Sequence, residues 1–196
     1  MQNNTKLKLF SLLVIIGAFI TVNSMGCTPS RVHTISVVAP EQEYKLLAIG
    51  KFELKDDLWF HLVPYFKRGL IETLEENKMF DSVLDPAPEA IPEDAVILKG
   101  KFSKIDKGSA VLRFMVGMGA GAATVKGNFI IQDAKGKNFA EFDAQENYAG
   151  GLGIGGAGFV DMEDLMREFG ETVAEKIIRW TQGKPLEIEM PQNEPN

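Results

Sequence analysis

Ala123-Thr124-Val125-Lys126-Gly127-Asn128-Phe129-Ile130-Ile131-Gln132 and Asn138-Phe139-Ala140-Glu141-Phe142-Asp143-Ala144-Gln145-Glu146-Asn147 flank the run Asp133-Ala134-Lys135-Gly136. Apolar and polar residues alternate on both sides, the period of a strand with one buried face. An aspartate that can accept nearby amides and a glycine free to take positive φ make the intervening run a tight turn. The stretch reads as a β-hairpin, the clearest such signal in the chain.

Upstream, Val96, Leu98, Gly100 and Phe102 alternate with Lys99, Lys101 and Ser103, which predicts another strand, closed by the turn residues Asp106-Lys107-Gly108-Ser109. Tyr44 to Leu54 predicts a first strand, with Leu46, Ala48 and Gly50 on one face, and Phe80 to Leu84 predicts a short second one. Between these two, Leu58, Leu62, Phe66, Leu70 and Leu74 recur four apart, the mark of one helical face. Asp56 and Asp57 supply helix-start chemistry, Pro64 fits a first helical turn, and Asn77 offers a stop. Pro86, Pro88 and Pro92 make residues 85–94 a loop.

A last helix is predicted from Met162 to about Thr181, capped by Asp161 and carrying Asp164 near its positive end. Met162, Leu165, Met166, Phe169, Val173, Ile177 and Trp180 form its apolar stripe, which reads as core. The expected architecture is a single two-layer α+β domain: a mainly antiparallel sheet of about four to five strands packed by two helices.

The 196 residues are 45% hydrophobic, enough for one domain with a substantial core. A net charge of -6 argues against nucleic acid as a partner, because phosphate binding needs a basic face. One cysteine, Cys27, excludes an intrachain disulfide framework and cysteine-based metal sites. His33 and His61 are the two histidines, too few for a histidine-rich metal centre. His61 has no sequence pattern of nucleophile and carboxylate around it. The expectation is therefore no catalytic residues, no metal and no cofactor.

Cys27 carries the strongest positive signal. Lys6 and Lys8 precede an apolar run from Leu9 to Val22, too short for a spanning helix of about 20 residues but suited to a signal-peptide core. Asn23-Ser24-Met25-Gly26 then leads into Cys27. A cysteine at this place resembles the lipobox of bacterial lipoproteins, whose thiol is diacylated before cleavage leaves it as the first residue. Ser24 stands where an aliphatic residue is usual. Thr28, rather than Asp, follows the cysteine, and the resemblance implies an outer-membrane destination. The predicted organisation is a signal peptide at 1–26, a tether at 27–43, a periplasmic α+β domain at 44–182 and a disordered tail at 183–196. Acyl chains, at about 0.8 kcal/mol per buried methylene, would hold the protein at the membrane.

Two glycine-rich windows remain. One holds Gly117, Gly119, Gly121 and Gly127, the other Gly150, Gly151, Gly153, Gly155, Gly156 and Gly158. Gly153 to Gly158 matches the dinucleotide fingerprint G-x-G-x-x-G between a strand and a helix, but no second parallel strand with its acidic residue follows the helix, and the reading is rejected. Three readings stay open for the windows: backbone geometry, a partner surface, or insertion into lipid. The candidate interaction surface comprises Arg113, Phe114, Met115, Gly117, Gly119, Gly121, Gly151 and Gly153.

Lys99-Gly100, Asp106 to Gly108, Leu112-Arg113-Phe114, Val116 to Gly121, the Asp133 to Gly136 turn and Gly150-Gly151 together resemble a family of bacterial lipoproteins, domain of unknown function 4410. The resemblance covers roughly Tyr44 to Thr181. In element order the family is similar to small envelope domains of secretion-channel lipoproteins and of lipoprotein activators of cell-wall synthases. It implies no catalytic residues. The functional expectation is a non-enzymatic lipoprotein, lipid-anchored at the periplasmic face of the outer membrane, whose domain binds another envelope protein. The alternative is a subunit of an oligomeric pore or secretion complex with a membrane-facing glycine-rich segment.

Overall fold

The computed structural model describes residues 31–112, 121–148 and 160–187. The elements run β1 (Arg31–Val37), β2 (Leu46–Leu54), a 3-10 helix (Asp57–Leu62), α1 (Val63–Asn77), β3 (Ser82–Leu84), β4 (Ala95–Asp106), β5 (Ala123–Asp133), β6 (Asn138–Tyr148) and α2 (Met162–Thr181). The strands form one six-stranded mixed sheet in the order β1-β6-β5-β4-β2-β3. The fold is α+β, with α1 and α2 packed on one sheet face.

The hairpin sets the register. Asp133 Oδ1 accepts the amides of Lys135 and Lys137, both at 2.8 Å, and Gly136 takes φ +84°. Phe129 therefore faces Phe142, and Gly127 faces Ala144. β4 extends the sheet antiparallel to β5, with Gly100 opposite Phe129. β2 lies parallel to β4 and to β3. The connection from β2 to β3 passes through the 3-10 helix and α1, as a parallel pair requires a crossover.

A phenylalanine cluster joins the layers. Phe66 of α1 lies 5.1 Å from Phe52 and Phe102 and 5.6 Å from Phe129, ring centre to ring centre, and Phe169 of α2 sits 5.7 Å from Phe129. Glycines make room for these rings. A β-carbon at Gly100 would lie 2.6 Å from the Phe129 ring, and one at Gly127 would lie 2.9 Å from it. At the other end of the core, the Trp180 indole donates to the Val38 carbonyl at 2.9 Å and stacks on Phe139.

Both helices match their predicted limits closely. Asp161 Oδ1 accepts the Glu163 amide at 2.9 Å, and every member of the α2 apolar stripe is buried. α1 carries Pro64 in its first turn and ends at Asn77, after which Lys78 takes φ +51°.

Four expectations need correction. The sheet has six strands, not four to five, because β1 forms within the stretch read as a tether and pairs with β6. It is also mixed, since β2 pairs parallel on both sides. Leu58 is not on the core face: it is 68% exposed, because the first turn is a 3-10 helix, whose tighter winding breaks the four-residue spacing. Likewise β2 turns Leu47, Ile49 and Phe52, rather than Leu46 and Gly50, into the main core. Past α2 the chain folds back, with Leu186 buried and the Pro185 carbonyl accepting from Arg179 Nε at 2.5 Å.

Candidate functional site

The end of β4 and the start of β5 close into a narrow neck. Asp106 pairs across the sheet with Thr124, so the two strand ends stand side by side. The Gly108 amide donates to Asp106 Oδ1 at 2.9 Å, and Lys104 Nζ lies 3.0 Å from Oδ2. That amide first, and then the lysine, hold the Asp106 carboxyl below the ordinary range for aspartate. The Ser109 amide donates to the Gly121 carbonyl at 3.0 Å, and Ser109 Oγ accepts the Leu112 amide at 3.3 Å, starting a short helical turn at residues 110–112.

Gly108 and Gly121 take φ +68° and +72°, and a β-carbon on Gly108 would sit 2.2 Å from the Gly121 carbonyl oxygen. Only glycine at position 108 lets the two backbones close in this way. From the neck, Val111 and Leu112 project 64% and 49% exposed.

The end of β2 lies beside the neck. Asp56 Oδ1 accepts the Leu58 amide at 3.0 Å and so starts the 3-10 helix. Leu54, Trp59, Phe102 and Ile105 line a groove between this helix and β4. Leu58 and Phe60 point away from it into solvent.

Of the candidate interaction surface, Gly121 is described, at the mouth of the neck. Arg113, Phe114, Met115, Gly117, Gly119, Gly151 and Gly153 lie outside the described residues, as does Cys27.

A second polar group sits under β6. Thr172 Oγ1 donates to Glu146 Oε2 at 2.8 Å, and Glu146, Thr172 and Lys176 are each less than a tenth exposed. Burial pushes the Lys176 amine down, and burial together with the Glu146 charge pushes the Glu168 carboxyl up. Glu168, Thr172 and Lys176 stand four apart along one flank of α2. Sequence reading passed over this row because the apolar stripe beside it accounts for the helix.

The histidines have local surroundings. His61 Nδ1 lies 3.0 Å from the Leu58 carbonyl, and His33 stands opposite Asp143 on the outer sheet face. Among the described residues, no three His, Cys, Asp or Glu side chains converge as a metal site would require, and no helix is long and apolar enough to cross a membrane.

No curated protein matches the chain. Among solved structures, the chain is similar to a PelC dodecamer from Paraburkholderia phytofirmans, at 14% identity over 74% of this chain and 95% of that one, with a TM-score of 0.49. A single-substitution variant of that dodecamer aligns at 13% identity over 74% and 94%, with a TM-score of 0.47. A family model described as "Domain of unknown function (DUF4410)" matches residues 38–151. The match takes in β2 to β6 and the neck, and stops before α2 rather than reaching Thr181. It spans more than half of the chain, which therefore belongs to the DUF4410 family.

Proposed function

We propose that this protein is a non-enzymatic lipoprotein of the bacterial envelope, anchored through Cys27 at the periplasmic face of the outer membrane. The observation that carries the reading is the short signal-type run Leu9 to Val22 followed by Gly26-Cys27, with the cysteine only a few residues before β1 opens at Arg31. The folded domain thus begins almost at the acylated residue. Much of the domain's polar chemistry also serves its own backbone: Asp56, Asp106, Asp133 and Asp161 each hold amides of a turn or a helix start.

The domain's role is to bind another envelope protein. β1 supports this reading, since it is an edge strand bearing Ile35 and Val37, with Val38 directly after it, each about half exposed. Such an edge is a template for a further strand. The Glu187 carboxylate accepts the Thr34 amide at 2.7 Å, which occupies part of this edge.

Growing the producing bacterium on a clickable fatty acid tests the anchor. Label is expected on the wild-type protein and absent from Cys27→Ala, and equal labelling of the two would refute it. Crosslinked capture tests the edge: Val37→Lys together with Val38→Lys is expected to lose a partner that the wild type retains.

A further inference from the structure

We infer that the end of the domain bearing Leu58, Phe60, Val111 and Leu112 rests on the lipid bilayer itself. This inference builds on the Cys27 anchor and adds an orientation to it.

Strand direction gathers this end. Leu54 pairs with Phe102, Asp106 with Thr124 and Ala123 with Tyr148, so the ends of β2, β4 and β6 meet the start of β5. Here Leu58, Phe60, Val111, Leu112 and Tyr148 are 68%, 65%, 64%, 49% and 39% exposed. The other large exposed apolar residues among those described, Ile35, Val37 and Val38, lie towards the opposite end of β1.

The anchor selects between the two ends. β1 starts at the first one, with Arg31 opposite Gln145, close to the Tyr148 terminus of β6. At roughly 3.5 Å per residue, the link from Cys27 to Arg31 reaches about 14 Å even when fully extended. Acyl chains on Cys27 therefore enter the bilayer near these side chains.

The chemistry of the end suits a headgroup boundary. Leucine, valine and aromatic side chains project there, while Lys55, Lys104 and Lys107 alternate with Asp56, Asp57 and Asp106 at the root. Apolar side chains can enter the acyl boundary while such charges stay among the headgroups. Both glycine-rich windows also attach here, one through the neck after Leu112 and the other after Tyr148.

The chain supplies its own probes. Cys27 is its one cysteine, and Trp59 and Trp180 are its two tryptophans. Trp59 lies between Leu58 and Phe60, whereas Trp180 is buried at the other end of the core. The mature chain beginning at Cys27 is coupled through that thiol to a maleimide phospholipid in phosphatidylcholine–phosphatidylethanolamine vesicles. Tryptophan emission is then compared with and without bromine on the acyl chains.

Bromine near the headgroup boundary is expected to cut wild-type emission by about a third or more. The Trp59→Phe variant should be unquenched. Leu58→Glu with Phe60→Glu, both at exposed positions, should couple equally well and lose most of the quenching. Equal emission from the two vesicle types at full coupling, or quenching that survives the double substitution, would overturn the orientation. Because the thiol linkage supplies the anchor chemically, this result is separate from fatty-acid labelling in cells, which reports on the anchor alone.

Discussion

Gly170 of α2 lies against the backbone of Phe66 in α1, so closely that a β-carbon at Gly170 would stand 2.1 Å from the Phe66 carbonyl oxygen. The contact is matched on the other helix, where a β-carbon at Gly69 would stand 2.1 Å from the Arg167 carbonyl oxygen. Two glycines thus let the helices cross backbone to backbone over the phenylalanine cluster. Gly170→Ala must push the helices apart, and such overpacking costs about 1–3 kcal/mol. Urea unfolding should show a lower midpoint with little change in slope. An unchanged midpoint would mean that the crossing is looser than this contact requires.

Asp161 starts α2 by accepting the Glu163 amide, with the Asp164 amide at 3.5 Å. Asp161→Ala should cost about 1 kcal/mol, while Asp161→Ser should cost much less, because serine caps equally well. Thermal unfolding of the two variants side by side checks the order.

Lys176 is 4% exposed, and burial is the main cause of its lowered pKa. A base whose folded pKa is depressed disfavours folding while it is charged. Wild-type stability should therefore rise as pH climbs through the folded value towards the ordinary lysine range, whereas Lys176→Met should lack that rise. At neutral pH the methionine variant should equal or exceed the wild type, by about 1 kcal/mol, since it keeps the packing without burying a charge. Denaturation curves at neutral and alkaline pH decide the matter.

The Asp106 carboxyl is shifted the other way. Its depressed pKa makes the neck most secure above the ordinary aspartate value, and the contribution is lost as pH falls through the folded value. The protection of the Gly108 and Ser109 amides against exchange, relative to their intrinsic rates at each pH, should fall in acid, and Asp106→Asn should remove most of that acid dependence. Amide exchange with the same pH profile in both proteins would show that the carboxylate does not hold the neck.

Local signals explain what the sequence revealed. The hairpin, the α2 stripe and the caps at Asp56 and Asp161 each depend on residues a few positions apart, and the structure holds them as expected. β1 escaped notice because it lies between Pro29 and Pro40 and becomes a strand only by pairing with β6, more than a hundred residues later. The parallel pairing of β2 escaped for the same reason, since no turn joins its partners. Leu58 misled because the four-residue spacing was extended into a 3-10 turn.

For the candidate site, the Asp106-Gly108 turn was legible. The closure of Ser109 on Gly121, the grouping of Leu58 and Phe60 with Val111 and Leu112, and the Glu146–Thr172 pair were not, because each joins distant parts of the chain.

Whether the domain hangs from an acylated Cys27 can be read from the mass of the N-terminal peptide of protein purified from membranes of the producing bacterium. The predicted result is a chain that begins at Cys27 and carries a diacylglyceryl group on its thiol. A peptide that still contains Gly26, or an unmodified Cys27, would contradict it.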